Sequence, residues 1–460
     1  MDWSKINKIY FIGIKGQGMT TLAQFLAAQG KIISGSDVEE SWSTGLALAN
    51  IKAEIKVGWL AANIPSDADL IIYSTAYNQD NPEVAAALTS KIKTVTYIEA
   101  LADVFNQAQG IAVTGTHGKS TTTAWLGFVL QEAGLAPSVM LGATVPQFNG
   151  QGLIGKSNYL VIEADEYQNK LSLLNPKIIL LNNIEYDHPD FYPDVASYEQ
   201  AFADFVAKLP AKGVLVANDD DPVVRTISDS AKCKVVRYGI NSAGASWQAR
   251  DIVFHNDRQY FKVFMDGDDL GEFNIGLLGA HNISNALAVI AASLELGAEL
   301  LPVRDGLAKF TGTTRRWEKM GEFKGALIYD DYAHHPTEIK ATIAGARQQY
   351  PDKKIMAIFA PHTYSRTQAL LGDFATSWYG LDELVMLPIY ASAREAQGAV
   401  SSQDLIDEIK MAQPELAVSY QPTLDSAEDY LRRHLKGDEV VILMGAGDVF
   451  RIGQRLVESS

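Results

Sequence analysis

The chain has one cysteine, Cys233, in 460 residues. A single thiol can form neither an internal disulfide nor a cysteine-based metal cluster. Its scarcity suits a reducing compartment, so a cytoplasmic protein is expected. No window holds the ~18 uninterrupted apolar residues that a membrane-spanning helix requires. The start, Met1-Asp2-Trp3-Ser4-Lys5, lacks the charged and apolar regions of a secretory signal. Neither a membrane span nor a signal peptide is therefore expected. Basic residues are the minority: 39 Lys and Arg stand against 55 Asp and Glu, a formal net charge of −16. That balance argues against nucleic acid or a membrane surface as partner. It still admits a nucleotide ligand, which needs only a local basic site. Fixed-period repeats and low-complexity blocks are also missing. What is present is ample apolar material, 47% of residues, enough for the cores of two or three domains at ~100–200 residues each.

Gly115-Thr116-His117-Gly118-Lys119-Ser120-Thr121 is the most informative stretch. An apolar, strand-like run, Gly110 to Thr114, precedes it, and a helix-like run, Thr122 to Ala133, follows. A strand, a glycine turn and Lys-Ser at a helix start make a phosphate cradle. Glycines let backbone N–H groups approach phosphate oxygens, and the helix N-terminus favours negative charge. Lys119 is placed to reach the terminal phosphates and Ser120 to hold Mg²⁺. The spacing is shorter than the common G-x-x-x-x-G-K-[ST] pattern, with Val113 at the place of the earlier glycine.

Strand and helix signals alternate along the chain, which predicts α/β architecture with parallel, doubly wound sheets. Ligands of such sheets sit at the carboxyl ends of strands. A first segment places Gly13-Ile14-Lys15-Gly16-Gln17-Gly18-Met19, Asp37 and Ser74 at three strand ends. Its G-x-x-G-x-G loop differs from the dinucleotide fingerprint but suits a pyrophosphate, with Asp37 where an acid often meets a ribose; the alternative is a helix-packing turn with a surface Asp. A second segment ends two strands in Glu163-Ala164-Asp165-Glu166 and Asn182-Asn183-Ile184-Glu185-Tyr186-Asp187-His188. Beside a phosphate cradle, such carboxylates offer the hard oxygen ligands that Mg²⁺ prefers. His281 to Asn285 open a further helix, where they either contact a nucleotide or cap the helix.

A third segment follows the loop-like joint Thr311-Gly312-Thr313-Thr314, with Arg315 and Arg316 directly after it. Its strands end in Asp330-Asp331-Tyr332-Ala333-His334-His335-Pro336-Thr337, Pro361-His362-Thr363-Tyr364-Ser365-Arg366-Thr367 and Gly445-Ala446-Gly447-Asp448. His, Arg and Asp together suit an anionic substrate and a developing negative charge.

Taken in order along nearly the whole chain, these motifs resemble the Mur ligase family. The resemblance implies three domains. They are a Rossmann-like UDP-sugar domain (1–108), a central P-loop ATPase-type domain with a mostly parallel sheet (109–313) and a Rossmann-like C-terminal domain (314–460). It implies ATP and Mg²⁺ as cofactors, and UDP-N-acetylmuramate and L-alanine as substrates. The reaction implied is ATP-dependent amide formation in peptidoglycan precursor synthesis, in a monomer or homodimer.

The same resemblance assigns roles. Gly13, Lys15, Gly16, Gly18, Met19, Asp37 and Ser74 would hold the UDP sugar. Gly115 to Thr121, with Thr116, His117 and Gly118 between them, would cradle ATP. Lys119 would neutralise its β and γ phosphates, and Ser120 and Glu163 would bind one Mg²⁺. His188 would take a second metal and orient the sugar-linked carboxylate. Asn282 matches an adenine-contacting position, Arg316 would meet the γ-phosphate and Asp331 the ribose, with His334 beside the nucleotide. His362 and Arg366 would position the lactyl carboxylate and alanine.

Two departures bear on this. No lysine lies between His188 and Lys208, which argues against the carbamoylated lysine of several family members. Glu166-Tyr167-Gln168-Asn169-Lys170 replaces the commoner Glu-Ser-Asp-x-Ser and is similar to a ligase that attaches a whole tripeptide to the same sugar. That recycling ligase is one alternative, and a P-loop ATPase switch is another.

Overall fold

The computed structural model describes residues 1–39, 44–391, 395 and 398–459. Among them are three sheets. The first is wholly parallel, in the spatial order Glu54–Val57, Ile32–Asp37, Lys8–Ile12, Leu70–Tyr73, Lys93–Thr96. The chain leaves strand Lys8–Ile12 to one side and later crosses to the other, so the crevice beside its carboxyl end is a topological switch point. The Gly13–Gly18 loop lies there.

The second sheet has ten strands, and its middle reads Ile178–Leu181, Gln109–Thr114, Tyr159–Glu163, all parallel. Ile111, Ala112, Val113, Leu160, Val161, Ile179 and Leu180 are buried, as expected for apolar strands covered on both faces. The three strand ends expected to converge are therefore neighbours. The flanks are antiparallel. Trp247–His255, Arg258–Met265 and Asp268–Ile275 form one meander, and Ser138–Val145 pairs Gly150–Leu153. Sequence reading passed over these strands because their apolar runs are short, three residues at most, as in Val139-Met140-Leu141 and Ile252-Val253-Phe254. Burial only alternates along Arg258–Met265.

The third sheet runs Glu318–Phe323, Ala326–Asp331, Glu439–Met444, Lys354–Phe359, Glu383–Met386, Ala417–Tyr420, parallel except for its first pair. Its core is filled by Ile355, Ala357, Phe359, Ile442, Met444 and Trp378. By packing, the chain forms two compact units. One holds Met1–Ile184, Glu199–Gly276 and Ile283–Gly312, the other Glu185–Tyr198, Leu277–Asn282 and Thr313–Ser460. No described helix is long and apolar enough to cross a membrane.

Candidate active site

The phosphate loop is shaped by two glycines with positive φ, Gly115 at 130° and Gly118 at 79°. A Cβ on Gly115 would lie 2.8 Å from the Asn183 carbonyl, and one on Gly118 2.9 Å from Asn285 Oδ1. Only glycine fits either place. Helix Lys119–Glu132 begins directly after Gly118, so Lys119, Ser120 and Thr121 form its first turn, with Lys-Ser at the helix start as expected. Asn183 braces the loop: its carbonyl accepts from Thr116 N–H at 3.0 Å and its Oδ1 from His117 N–H at 2.7 Å.

The Lys119 ammonium donates to Gly115 O (2.6 Å), Thr116 O (3.0 Å) and Glu166 Oε2 (3.0 Å). Burial alone would lower its pKa, but the carboxylates of Glu166, Asp165 and Glu163 outweigh burial and raise it. Lys119 is thus a fixed cation. Ser120 Oγ donates to Glu163 Oε1 at 2.6 Å, and Gly142 N–H holds Glu163 Oε2 at 2.9 Å. A hydroxyl and a carboxylate so paired are the hard oxygen donors that suit Mg²⁺. The glycine-only cradle, the cation and this donor pair fit a Mg²⁺-nucleotide.

At the N-terminal loop, Asp37 turns inward: its carboxylate accepts from Lys15 N–H (2.6 Å) and Val38 N–H (2.8 Å). Lys15 Nζ reaches Val38 O at 2.6 Å. Asp37 therefore sets the loop's shape. Ser74 Oγ accepts from Ala76 N–H at 3.3 Å. Gly16 caps helix Gln17–Ala28 without a side-chain bond, which leaves the helix start to an anion. Met19 is buried. Close packing explains two glycines here. A Cβ on Gly13 would lie 2.7 Å from the Tyr77 ring, and one on Gly18 2.6 Å from Tyr97 Oη.

In the other unit, Arg366 and Asp187 form a buried bidentate pair, with Nε to Oδ1 at 2.7 Å and Nη2 to Oδ2 at 3.1 Å. Burial would raise the Asp187 pKa, yet Arg366 and the neighbouring histidines hold it well below the usual carboxylate range. Asp187 Oδ1 also takes the N–H of His188 at 2.7 Å, which fixes a residue at φ 56°. Arg366 Nη1 lies 3.0 Å from His362 Nδ1. A guanidinium only donates, so Nδ1 accepts and the proton of His362 sits on Nε2. His334 is the opposite tautomer. Its Nδ1 is 2.8 Å from the Tyr332 carbonyl, which only accepts, so Nε2 carries the lone pair. The two rings lie 5.8 Å apart, edge to face. Burial, with the Arg366 charge, pushes His362 down to about 4. Burial pushes His334 to about 3, against the pull of Glu338. Both are neutral near pH 7.

The adjacent arginines part ways. Arg315 is tied inside, Nε to Asp330 Oδ2 at 3.0 Å and Nη2 to the carbonyls of Gly445 (2.9 Å) and Gly447 (3.0 Å). Arg316 reaches Glu338 Oε1 at 3.3 Å. The Asp331 carboxylate accepts from Trp317 N–H and Ala333 N–H, both at 2.8 Å. Asn282 Nδ2 donates to Leu278 O at 2.6 Å and lies 3.0 Å from His281 Nε2, at the start of helix Ala280–Glu295.

Sequence reasoning read Glu166, Asn183, Asp187 and Asn285 only as members of polar clusters, and gave Glu338 no individual role. Their signal was the polar residue after a strand, which does not say which neighbour turns inward.

A glycine phosphate loop with a paired Ser and Glu, in a chain that also carries a wholly parallel sheet, defines a nucleotide-binding α/β protein. Comparison with known proteins makes that specific. The Mur ligase family, catalytic domain, matches residues 8–109, the Mur ligase middle domain 113–293, and the Mur ligase glutamate ligase domain 315–447. The chain belongs to the Mur ligase family. It is 39% identical to the UDP-N-acetylmuramate–L-alanine ligase of Desulfitobacterium hafniense over 98% of this chain and 99% of that one. The ligase of that name from Alkaliphilus metalliredigens is 37% identical over 99% and 98%. Among solved structures, the UDP-N-acetylmuramate-alanine ligase of Thermotoga maritima superposes with a TM-score of 0.80, 28% identity and 98% coverage of both chains. A murein peptide ligase of Psychrobacter arcticus shares the fold at 0.73 and 24% identity, over 98% of each chain.

Proposed function

We propose that this enzyme joins L-alanine to the lactyl carboxylate of UDP-N-acetylmuramate with consumption of ATP, in peptidoglycan precursor synthesis. The observation that carries the reading is the end-to-end match to relatives bearing that activity in their names. The Lys119, Ser120 and Glu163 cluster supplies the chemistry the activity needs.

In this reading the lactyl carboxylate oxygen attacks the γ-phosphorus of ATP, the bond to the bridging oxygen breaks, and ADP leaves. The alanine amine then attacks the acyl carbon, phosphate leaves, and one amine proton is lost as the amide forms. The protein contributes position and charge more than covalent chemistry. Lys119 and Arg316 offset phosphate charge. His362, with its proton on Nε2, offers a donor to a carboxylate, and His334 Nε2 offers an acceptor to an amine. Ser120 and Glu163 would hold one Mg²⁺ and His188 a second metal ion, which would supply charge neutralisation at the phosphates. Gly115, Thr116, His117, Gly118 and Thr121 would cradle the nucleotide, with Asn282 and Asp331 toward adenosine. Gly13, Lys15, Gly16, Gly18, Met19, Asp37 and Ser74 would form the UDP-sugar subsite. Arg366 would act in substrate placement through His362 and Asp187. Functional domains at 1–108, 109–313 and 314–460, a cytoplasmic location and a monomer or homodimer belong to the same proposal.

The test is phosphate release with ATP, Mg²⁺ and UDP-N-acetylmuramate, adding either L-alanine or the L-Ala-D-Glu-diamino-acid tripeptide, with the product weighed by mass spectrometry. Release that needs both sugar and alanine, with one alanine gained, is expected. Response to the tripeptide alone would make it a recycling ligase. Release needing neither would leave an ATPase.

A further inference from the structure

The Lys119 ammonium has three protons to donate. They meet three acceptors: Gly115 O at 2.6 Å, Thr116 O at 3.0 Å and Glu166 Oε2 at 3.0 Å. A phosphate oxygen can join only by replacing one of them. The two carbonyls belong to the loop's own backbone, within one turn of Lys119, and cannot leave without unfolding the cradle. Glu166 comes from a separate segment, 47 positions along the chain, just past strand Tyr159–Glu163. It is also the only charged member of the three. Exchange of a carboxylate for a phosphate oxygen leaves the cation neutralised before and after. The pair is well shielded, with Lys119 14% and Glu166 1% exposed, so its attraction is little screened by water.

We infer that Glu166 is a positioning residue for the nucleotide. Its carboxylate stands where the phosphate will bind, holding the Lys119 ammonium at the loop, and is displaced when nucleotide arrives. This rests on the reading of the Gly115–Thr121 loop as a nucleotide site. The inference has a sign. A competing anion lowers the fraction of enzyme ready to bind, and affinity falls by that fraction. Removing the negative charge at residue 166 while keeping its shape therefore strengthens nucleotide binding. A residue that merely supports the fold, or that ligates a metal, gives the opposite sign or none.

The experiment is calorimetric titration of the full-length protein with ADP, once with EDTA and once with Mg²⁺, for wild type, Glu166→Gln, Glu166→Asp and Lys119→Ala. Glu166→Gln is expected to bind metal-free ADP about ten-fold tighter than wild type. Glu166→Asp, which keeps the charge, is expected within about two-fold of wild type, and Glu166→Ala, which also removes the charge and is expected to bind tighter, stands in if Glu166→Gln does not fold. Tightening in Glu166→Asp equal to that in Glu166→Gln would overturn the inference. So would unchanged or weaker metal-free binding by a folded Glu166→Gln. A loss seen only with Mg²⁺ would make Glu166 a metal ligand and overturn it too. Wild type that binds no ADP under either condition, with Lys119→Ala indistinguishable from it, would instead sink the nucleotide reading itself.

Discussion

Arg366 grips Asp187 through two parallel hydrogen bonds across 179 positions of sequence, and both side chains are buried, 4% and 7% exposed. Arg366 lies inside a short helix, Tyr364–Ala369. The other precedes His188, the candidate metal ligand. The pair fixes His188 on one side and the tautomer of His362 on the other.

Arg366→Ala should therefore act on stability as well as on substrate use. Removing one partner of a buried pair leaves the other charge uncompensated, a loss of about 3–5 kcal/mol. Arg366→Lys should recover only part of it, because an ammonium cannot supply the planar fork. Chemical denaturation followed by circular dichroism reads both. A change under about 1 kcal/mol in the alanine variant would mean the pair contributes little.

Lys119→Ala removes the cation facing the phosphates. Phosphate release should fall by about a hundred-fold or more, while UDP-N-acetylmuramate binding, placed at another loop, should persist. Calorimetry with the UDP sugar decides, since parallel loss of sugar binding would contradict this division of labour.

Stability should fall in mild acid because of His334 and His362. Their folded pKa values, about 3 and about 4, lie below the ordinary 6.5. The unfolded chain thus binds more protons between those limits. Their contribution is fully present above about 6.5 and is lost as pH falls toward 4 and 3. Asp330 works against this: burial raises it to about 6, so its contribution grows as pH falls from about 6 toward 4. The wild-type-minus-variant difference isolates each histidine. Against His334→Gln and His362→Gln, wild type should lose relative stability from pH 7 to pH 4.5. A difference flat in pH would show that the imidazoles are not held neutral.

Gly18→Ala places a methyl 2.6 Å from Tyr97 Oη and 2.7 Å from its Cζ. The ring or the helix start must shift, and the KM for UDP-N-acetylmuramate should rise several-fold with that for ATP little changed. Truncating the partner should relieve the clash. A double-mutant cycle with Tyr97→Ala should then show strong coupling, whereas additive effects would place the cause elsewhere.

Much of this protein was legible one residue at a time. Apolar runs that end in glycine and polar residues predicted parallel strands with ligand groups at their carboxyl ends, because a strand buried on both faces must be apolar along its length. Gly-Lys-Ser before a helix marked the phosphate loop, since that chemistry is local: a turn, a helix start and two adjacent side chains. The antiparallel meander at Trp247–Ile275 was not legible, because its strands are only partly buried and break their short apolar runs with polar residues.

What only the tertiary structure decided is which polar residue of each cluster faces which partner. Asp330 and Asp331 were placed at a strand end, and both close strand Ala326–Asp331. Consecutive strand residues point to opposite faces, so Asp330 meets Arg315 and Asp331 takes the N–H groups of Trp317 and Ala333. Arg315 and Arg316 are chemically identical in sequence, and packing alone sends the first into the Gly445–Gly447 turn. Glu166 on Lys119 and Asp187 on Arg366 are pairings between distant segments. Sequence determines which charges exist and which strand end carries them. Sheet order and strand register determine which charges meet, because those contacts form only once separate strands lie side by side.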